Sequence, residues 1–487
     1  MNQQVLEKYL WGAATALRGT IDAGDYKQYI FPLLFFKRIC DVHDEEFEKA
    51  MKESDGDLEY AAFAENYHFQ VPEEAHWNTV RETTVNVGMA IQEAMRKIEK
   101  ANPEKLFGIF GDASWTNKDR LSDEILSNLI EHFSQYKLSN KNVRDDQLEN
   151  AYEYLIKEFA DDSGHTAAEF YTNRTVVKLM TLIMDPQPGE SVYDPTCGSG
   201  GLLLNCALHL KEEGKEYRTL KLYGQEINLI TSAIARMNMF LHGIEEFQIV
   251  RGDTLVQPAF LENDELKKFN VILANPPYSI KSWDRRSFEN DPYGRNLWGT
   301  PPQGTADYAF QQHIQKSLDT ENGRSITLWP HGILFRDAEA EMRKKMIEAD
   351  LVECVIGLGP NLFYNSPMEA CLLITRTNKE ATKKGKVLFI NAVKEVRQEK
   401  TMAFLELNHI QKIFTAYQNF TDIENFSRLV DVEKVLSKNG NMAINLYVRP
   451  QNGDIEQISF EETFAKWESS SEELKKSMNQ LFQILEN

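Results

Sequence analysis

Eight short apolar runs between Ser191 and Ile390 alternate with helical segments, and this alternation constrains the fold more than any other feature of the chain. The runs are Ser191–Tyr193, Leu220–Gly224, Gln248–Val250, Asn270–Ala274, Ser325–Leu328, Leu351–Ile356, Cys371–Thr375 and Val387–Ile390. Leu202–Leu210, Leu229–Leu241, Ala306–Leu318 and Ala338–Glu348 fit helices between them. Runs this short are strands rather than helices when turn residues bound them. Strand–helix alternation predicts an α/β, doubly wound, largely parallel sheet with ligands at the carboxyl ends of its strands.

The flanks read differently. Leu6, Leu10, Ala13, Ala14 and Leu17 recur at helical spacing, and Tyr29, Leu33, Leu34 and Phe36 continue the pattern. Asp123–Phe133 and Gln147–Phe159 fit further amphipathic helices. At the other end Leu474, Met478, Leu481, Phe482 and Leu485 make one apolar stripe, which either packs on its own domain or docks on a partner helix. A chain of 487 residues exceeds one simple core, so several domains are expected. No run approaches the roughly 20 apolar residues of a membrane helix, and the N-terminus does not read as a signal peptide. The scattered cysteines (Cys40, Cys197, Cys206, Cys354, Cys371) form no CxxC pair. They read as reduced thiols of a cytoplasmic protein, with no disulfide frame and no metal site expected. A net charge of −20 argues against a chain that wraps nucleic acid by itself, because phosphate contacts dominate that affinity.

Chemistry concentrates at four strand ends. Asp194-Pro195-Thr196-Cys197-Gly198-Ser199-Gly200-Gly201 follows the first strand and opens a helix. Glycines there permit a tight turn and close approach of backbone to a ligand. Glu226 ends the second strand, where a carboxylate suits the hydroxyls of a ribose. Asp253 follows the third and can accept from an exocyclic amine. Each alone is as consistent with a solvated loop carboxylate. The fourth site is Asn275-Pro276-Pro277-Tyr278, after Val271-Ile272-Leu273-Ala274. The Asn275 side-chain oxygen and the Pro276 carbonyl are two acceptors that can converge on an NH₂ group. The prolines fix φ, and Tyr278 offers a flat face for a base. The following stretch, Lys281–Gly304, is polar, rich in Gly and Pro, and carries Arg285, Arg286 and Arg295. It reads either as a mobile DNA-facing loop or as a plain solvated insertion.

This order of sites resembles the S-adenosylmethionine-dependent amino-methyltransferases. Over nearly its full length the chain is similar to the modification (methyltransferase) subunit of type I restriction–modification systems. Leu10-Trp11, Leu17-Arg18-Gly19, Asp22, Tyr26-Lys27 and Leu33-Leu34-Phe35-Phe36-Lys37-Arg38 carry the resemblance at the N-terminus. Glu169-Phe170-Tyr171-Thr172-Asn173-Arg174 carries it before the glycine turn. Ala306-Asp307-Tyr308-Ala309-Phe310, Pro330-His331-Gly332-Ile333-Leu334-Phe335-Arg336, Asn361-Leu362-Phe363-Tyr364 and Asn445-Leu446-Tyr447-Val448 carry it downstream. The family usually has Pro where Asn173 stands, and commonly Gly where Ala168 stands.

The resemblance implies a Rossmann-like class I methyltransferase fold in three parts: an N-terminal helical domain (1–155), the methyltransferase domain (156–430) and a C-terminal segment and helix for partner contact (431–487). It implies S-adenosylmethionine as cofactor, with Glu169, Phe170, Tyr171, Thr172, Asn173, Arg174, Gly198, Ser199 and Gly200 around its methionine part and Thr196 also binding the cofactor. Asp194 sits near the amino group, Glu226 holds the ribose and Asp253 faces the adenine. Asn275 and the Pro276 carbonyl hold the N6 amine of an adenine flipped from duplex DNA, Pro277 stiffens the loop, and Tyr278 stacks on the base. Two copies of the chain join one specificity subunit, which reads the sequence, and a restriction/translocase subunit joins for cleavage. Three other readings use the same residues less fully. A protein-glutamine methyltransferase shares the Asn-Pro-Pro-Tyr loop but is compact. A nicotinamide oxidoreductase needs the GxGxxG spacing, which the first turn lacks. A silent scaffold would not need the intact site.

Overall fold

The computed structural model describes residues 2–22, 25–143, 172–362, 368–398 and 403–448, together with isolated positions between 147 and 159 and between 467 and 475. Each of the eight apolar runs is a strand. They are β1 (Ser191–Asp194), β2 (Lys221–Glu226), β3 (Phe247–Arg251), β4 (Val271–Ala274), β5 (Arg324–Pro330), β6 (Val352–Leu358), β7 (Ala370–Arg376) and β8 (Lys386–Ala392). A ninth, β9 (Ser427–Asp431), completes one sheet in the order β9-β8-β6-β7-β5-β4-β1-β2-β3. Only β7 and β9 run antiparallel to their neighbours. The runs are continuous because every residue of β1, β4, β5 and β6 is buried, as expected when helices cover both faces of a parallel sheet.

The chain leaves β1 outward through β2 and β3, then returns to the other side of β1 as β4. In register, Val192 lies opposite Leu222 on one side and Val271 on the other. This reversal opens a crevice at the carboxyl ends of β1 and β4, the place where doubly wound sheets bind ligands. The Asp194 turn and the Asn275 loop both start there.

The helices before the sheet are α1 (Gln3–Thr15), α2 (Lys27–Glu53), α3 (Val87–Ala101) and α4 (Asp123–Ser134). Leu33, Phe36, Trp77 and Phe133 lie in their common core, and so do Tyr152, Leu155 and Phe159 from the helix expected over Gln147–Phe159. In the Lys37-Arg38 pair the charges are structural. Lys37 pairs with Asp41, and Arg38 donates to the Leu138 carbonyl and the Asn140 side chain.

Three helices beside the sheet shape the crevice: α5 (Arg174–Met184), α6 (Gly201–Glu212) and α7 (Leu229–Leu241). Helix α7 serves two cores. Its Ala233, Ile234, Met237 and Leu241 face the N-terminal helices, and Met239 faces the sheet. Polar contacts fix the same joint. The Tyr152 hydroxyl donates to the Ile234 carbonyl at 3.1 Å. Arg236 donates to the carbonyls of Lys105 and Phe107 at 2.7 and 2.6 Å. The N-terminal helices are thus seated on the helix that begins three residues after Glu226.

Later in the chain come α8 (Asp307–Ser317), α9 (Ala340–Glu348) and α10 (Leu407–Asn419). All five cysteines are buried and free. Among the described residues no helix is long and apolar enough to cross a membrane. The chain divides into two units at Val448–Arg449. The stripe Leu474, Met478, Leu481, Phe482 and Leu485 lies outside the described residues, as do Phe363 and Tyr364.

Candidate active site

The glycine turn is built around Glu226. Its carboxylate accepts from the Gly198 N–H at 3.1 Å and the Asn228 N–H at 2.8 Å. It therefore ties the turn after β1 to the start of α7. Gly200 caps α6 at φ +81°, a left-handed conformation that favours glycine. A Cβ there would also stand 3.0 Å from the Met239 methyl. Gly198 is left-handed too, at φ +53°. Asn238 of α7 donates to the Ser199 carbonyl at 3.1 Å.

Three carboxylates rim this turn. Asp194 is fully buried and accepts from the Thr196 N–H at 3.0 Å. Burial pushes its pKa up to about 8, with the Glu226 charge adding to the shift. Burial also raises Glu226, against which its backbone hydrogen bonds and the nearby Lys27 work. Lys27 is the first residue of α2, so the N-terminal helices place a cation beside this acid; the Tyr26-Lys27 block marked the residue without giving it this role. Asp253 accepts from the Leu255 and Val256 N–H groups at 2.9 and 3.3 Å. The Thr196 side chain stands beside the Asp194 carboxylate and opposes its upward shift.

The Asn275 loop leaves β4 across the crevice. The Asn275 amide nitrogen donates to the Thr172 hydroxyl at 3.0 Å, and its oxygen accepts from the Tyr278 hydroxyl at 2.5 Å. Thr172 thus joins the upstream block to the loop, and the pair of bonds fixes which end of the amide faces which way. Burial holds the Tyr278 hydroxyl protonated, far above its ordinary range. The Tyr278 ring lies 6.3 Å from that of Trp329. Pro276 is buried and Pro277 exposed.

Asn173 has a local task. Its oxygen caps α5 by accepting from the Thr175 N–H at 3.0 Å, and its amide donates to the Ala403 carbonyl at 2.9 Å. An N-cap asparagine is a sound replacement for proline at a helix start. Arg174 is the exposed first residue of that helix. Glu169, Phe170 and Tyr171 lie outside the described residues.

The stretch after the loop matches neither sequence reading in full, because Arg295 does not face outward. It is 2% exposed, pairs with Asp291 at 2.5 Å and donates to the carbonyls of Thr254 and Leu255 at 2.8 Å each. Thr254 in turn donates to the Pro195 carbonyl at 2.6 Å. Arg295 therefore fastens this stretch to the residues beside Asp253. Arg285 donates to the Pro301 carbonyl at 2.9 Å.

A turn with two left-handed glycines, acids on successive strand ends and a held asparagine meet at one end of the sheet. Known proteins decide the family. The N-6 DNA methylase family matches residues 143–455, and the HsdM N-terminal domain matches residues 6–133. This chain belongs to the N-6 DNA methylases of type I restriction enzymes. It is 31% identical to the MjaVIII methylase subunit of Methanocaldococcus jannaschii, over 95% of this chain and 80% of that one. It is 29% identical to the MpnII methylase subunit of Mycoplasma pneumoniae, over 92% and 89%. The methyltransferase subunit of a type I restriction–modification system from Streptococcus thermophilus superimposes with a TM-score of 0.79 at 28% identity, over 92% of this chain and all of that one. The fold is thus the α/β methyltransferase fold. The activity is DNA methylation at adenine N6 by a modification subunit. Each of these relatives is named as a methylase or methyltransferase subunit of a type I system.

Proposed function

We propose that S-adenosylmethionine lies along the ends of β1, β2 and β3, and that the target adenine enters against the Asn275 loop. The observation that carries this is the Asn275 side chain, held at both ends across the crevice from the acidic rim. The residues fit a sulfonium cofactor. Open space lies beside the Gly201 backbone at the end of the turn, and the rim is acidic where the ligand is cationic. When bound, that cofactor supplies an electrophilic methyl group.

In this reading Asp194 takes the cofactor's amino group, Glu226 its ribose and Asp253 its adenine. Thr172, Asn173, Arg174, Thr196, Gly198, Ser199 and Gly200 line the methionine side, with Glu169, Phe170 and Tyr171 beside them. Each Glu226 oxygen keeps a lone pair beyond its backbone bond. The Asn275 oxygen likewise has a second lone pair when Tyr278 occupies the first. It accepts one hydrogen of the target amine, and the Pro276 carbonyl accepts the other. The nitrogen lone pair is then directed at the methyl group, and alignment supplies most of the acceleration. Pro277 restricts the loop, and Tyr278 stacks on the flipped base.

We further propose duplex DNA as substrate within an assembly of two copies of this chain, one specificity subunit and, for cleavage, a restriction/translocase subunit. In it, residues 1–155 form the helical domain, 156–430 the methyltransferase domain and 431–487 the partner-facing segment. A net charge of −20 supports leaving sequence reading to another chain. The direct test of the site is Asn275→Ala in that assembly. Methylation is expected to vanish while cofactor affinity stays within about threefold, since one lost positioning group can cost about 10²-fold in rate. Loss of cofactor binding as well would contradict the assignment.

A further inference from the structure

Two sequence blocks have no role in the reading above: Asp307 with its neighbours at the start of α8, and the segment ending at Arg336 after β5. The structure brings them together beneath the catalytic loop. The cause lies in that loop's sequence. Pro276 and Pro277 carry no N–H, so the sheet ladder cannot run on through the loop, and past Asn275 the first backbone donors belong to Tyr278 and Ser279. The Ser279 N–H donates to the Asp307 carboxylate at 2.7 Å. Ser279 is left-handed, at φ +52°. A side chain disfavours that conformation, so something must hold it.

Asp307 is fully buried. A buried carboxylate needs compensation, and two groups supply it. The start of α8 favours a negative charge. The Arg336 guanidinium pairs with the second carboxylate oxygen, and its other edge donates to Glu339 at 2.9 Å. The same guanidinium approaches the Ser279 hydroxyl at 3.4 Å. A planar fork spans two carboxylates and the loop at once, which an ammonium cannot do.

We infer that Asp307 and Arg336 are positioning residues for methyl transfer, which clamp Ser279 and thereby aim Asn275, Pro276 and Tyr278 at the target amine. They touch neither cofactor nor base. The inference rests on the reading of the Asn275 loop as the target-amine site. The clamp replaces the ladder bonds that the two prolines remove.

The test uses the chain in complex with its DNA-reading partner, with kcat on duplex DNA and cofactor Kd measured separately. Asp307→Asn keeps an acceptor of the same size and leaves Arg336 paired with Glu339, so it is the variant expected to fold. Arg336→Gln combined with Glu339→Gln removes the fork without stranding a second buried charge. Both are expected to lower kcat about 10- to 100-fold, with cofactor Kd within about threefold. Arg336→Lys in the parent is expected to fall between parent and double variant, since it keeps the charge and loses the fork. A kcat within twofold of the parent in both clamp variants overturns the inference. So does a loss of kcat matched by an equal loss of cofactor affinity, which marks a merely structural pair. Asn275→Ala run alongside separates the two claims: if it stays active, the loop reading itself fails.

Discussion

In the proposed site Asn275 serves because both ends of its side chain are held. Thr172 holds its nitrogen and Tyr278 its oxygen, so the acceptor would be set before a base arrives. Thr172→Val removes one of these bonds at nearly constant volume. A neutral hydrogen bond contributes about 1 kcal/mol, so kcat should fall roughly fivefold with cofactor Kd little changed, as single-turnover kinetics would show. Asp194 makes a second prediction. Its pKa is raised to about 8 by burial, so the folded chain without ligand favours the protonated acid. That contribution to stability is complete below the ordinary carboxylate range and is lost as pH rises through about 8. A cationic amine needs the carboxylate instead. Cofactor binding at pH 7 should therefore release about one proton, and affinity should rise with pH up to about 8 and then level. Calorimetry in two buffers of different ionisation enthalpy measures the proton. Asp194→Asn should abolish both the release and the slope.

At the scale of elements, legibility followed burial. Strands covered on both faces write themselves as unbroken apolar runs, and seven of the eight readable strands are largely buried; the eighth, β3, is an edge strand with no buried residue. β9 was not readable, because only Ser427 and Val430 of Ser427–Asp431 are buried, and so sparse a pattern makes no apolar run. The strand-end acids and the proline loop stood out in the sequence because the chemistry proposed for them dictates residue type. Arg295 and Arg336 did not. Some of an arginine's partners lie tens of residues away, as with the Thr254 and Leu255 carbonyls for Arg295, and for Arg295 charge alone suggested an outward-facing loop. Helix α7 was likewise readable as a helix but not as the joint between two cores. Gly200 tests that joint. Its left-handed φ and its closeness to Met239 mean that Gly200→Ala should destabilise the chain by about 1–2 kcal/mol and weaken cofactor binding. Thermal unfolding with and without cofactor would show both effects.

The whole molecule divides its labour. Carboxylates rim the crevice, and the surface as a whole is acidic, with a net charge of −20. A cationic cofactor is drawn to such a site, whereas a polyanion needs help from elsewhere. The isolated chain should bind duplex DNA weakly at about 0.15 M salt, and the partner chain should add the steep salt dependence of phosphate contacts. Titrations at several salt concentrations, with and without the partner, measure that slope. The account as a whole stands on where the methyl group goes. Parent and Asn275→Ala assemblies would be given methyl-labelled S-adenosylmethionine and duplex DNA, and the label located base by base. The account predicts label on adenine N6 with the parent and none with the variant, at equal cofactor occupancy. Label on cytosine or on protein, or undiminished adenine labelling by the variant, would contradict it.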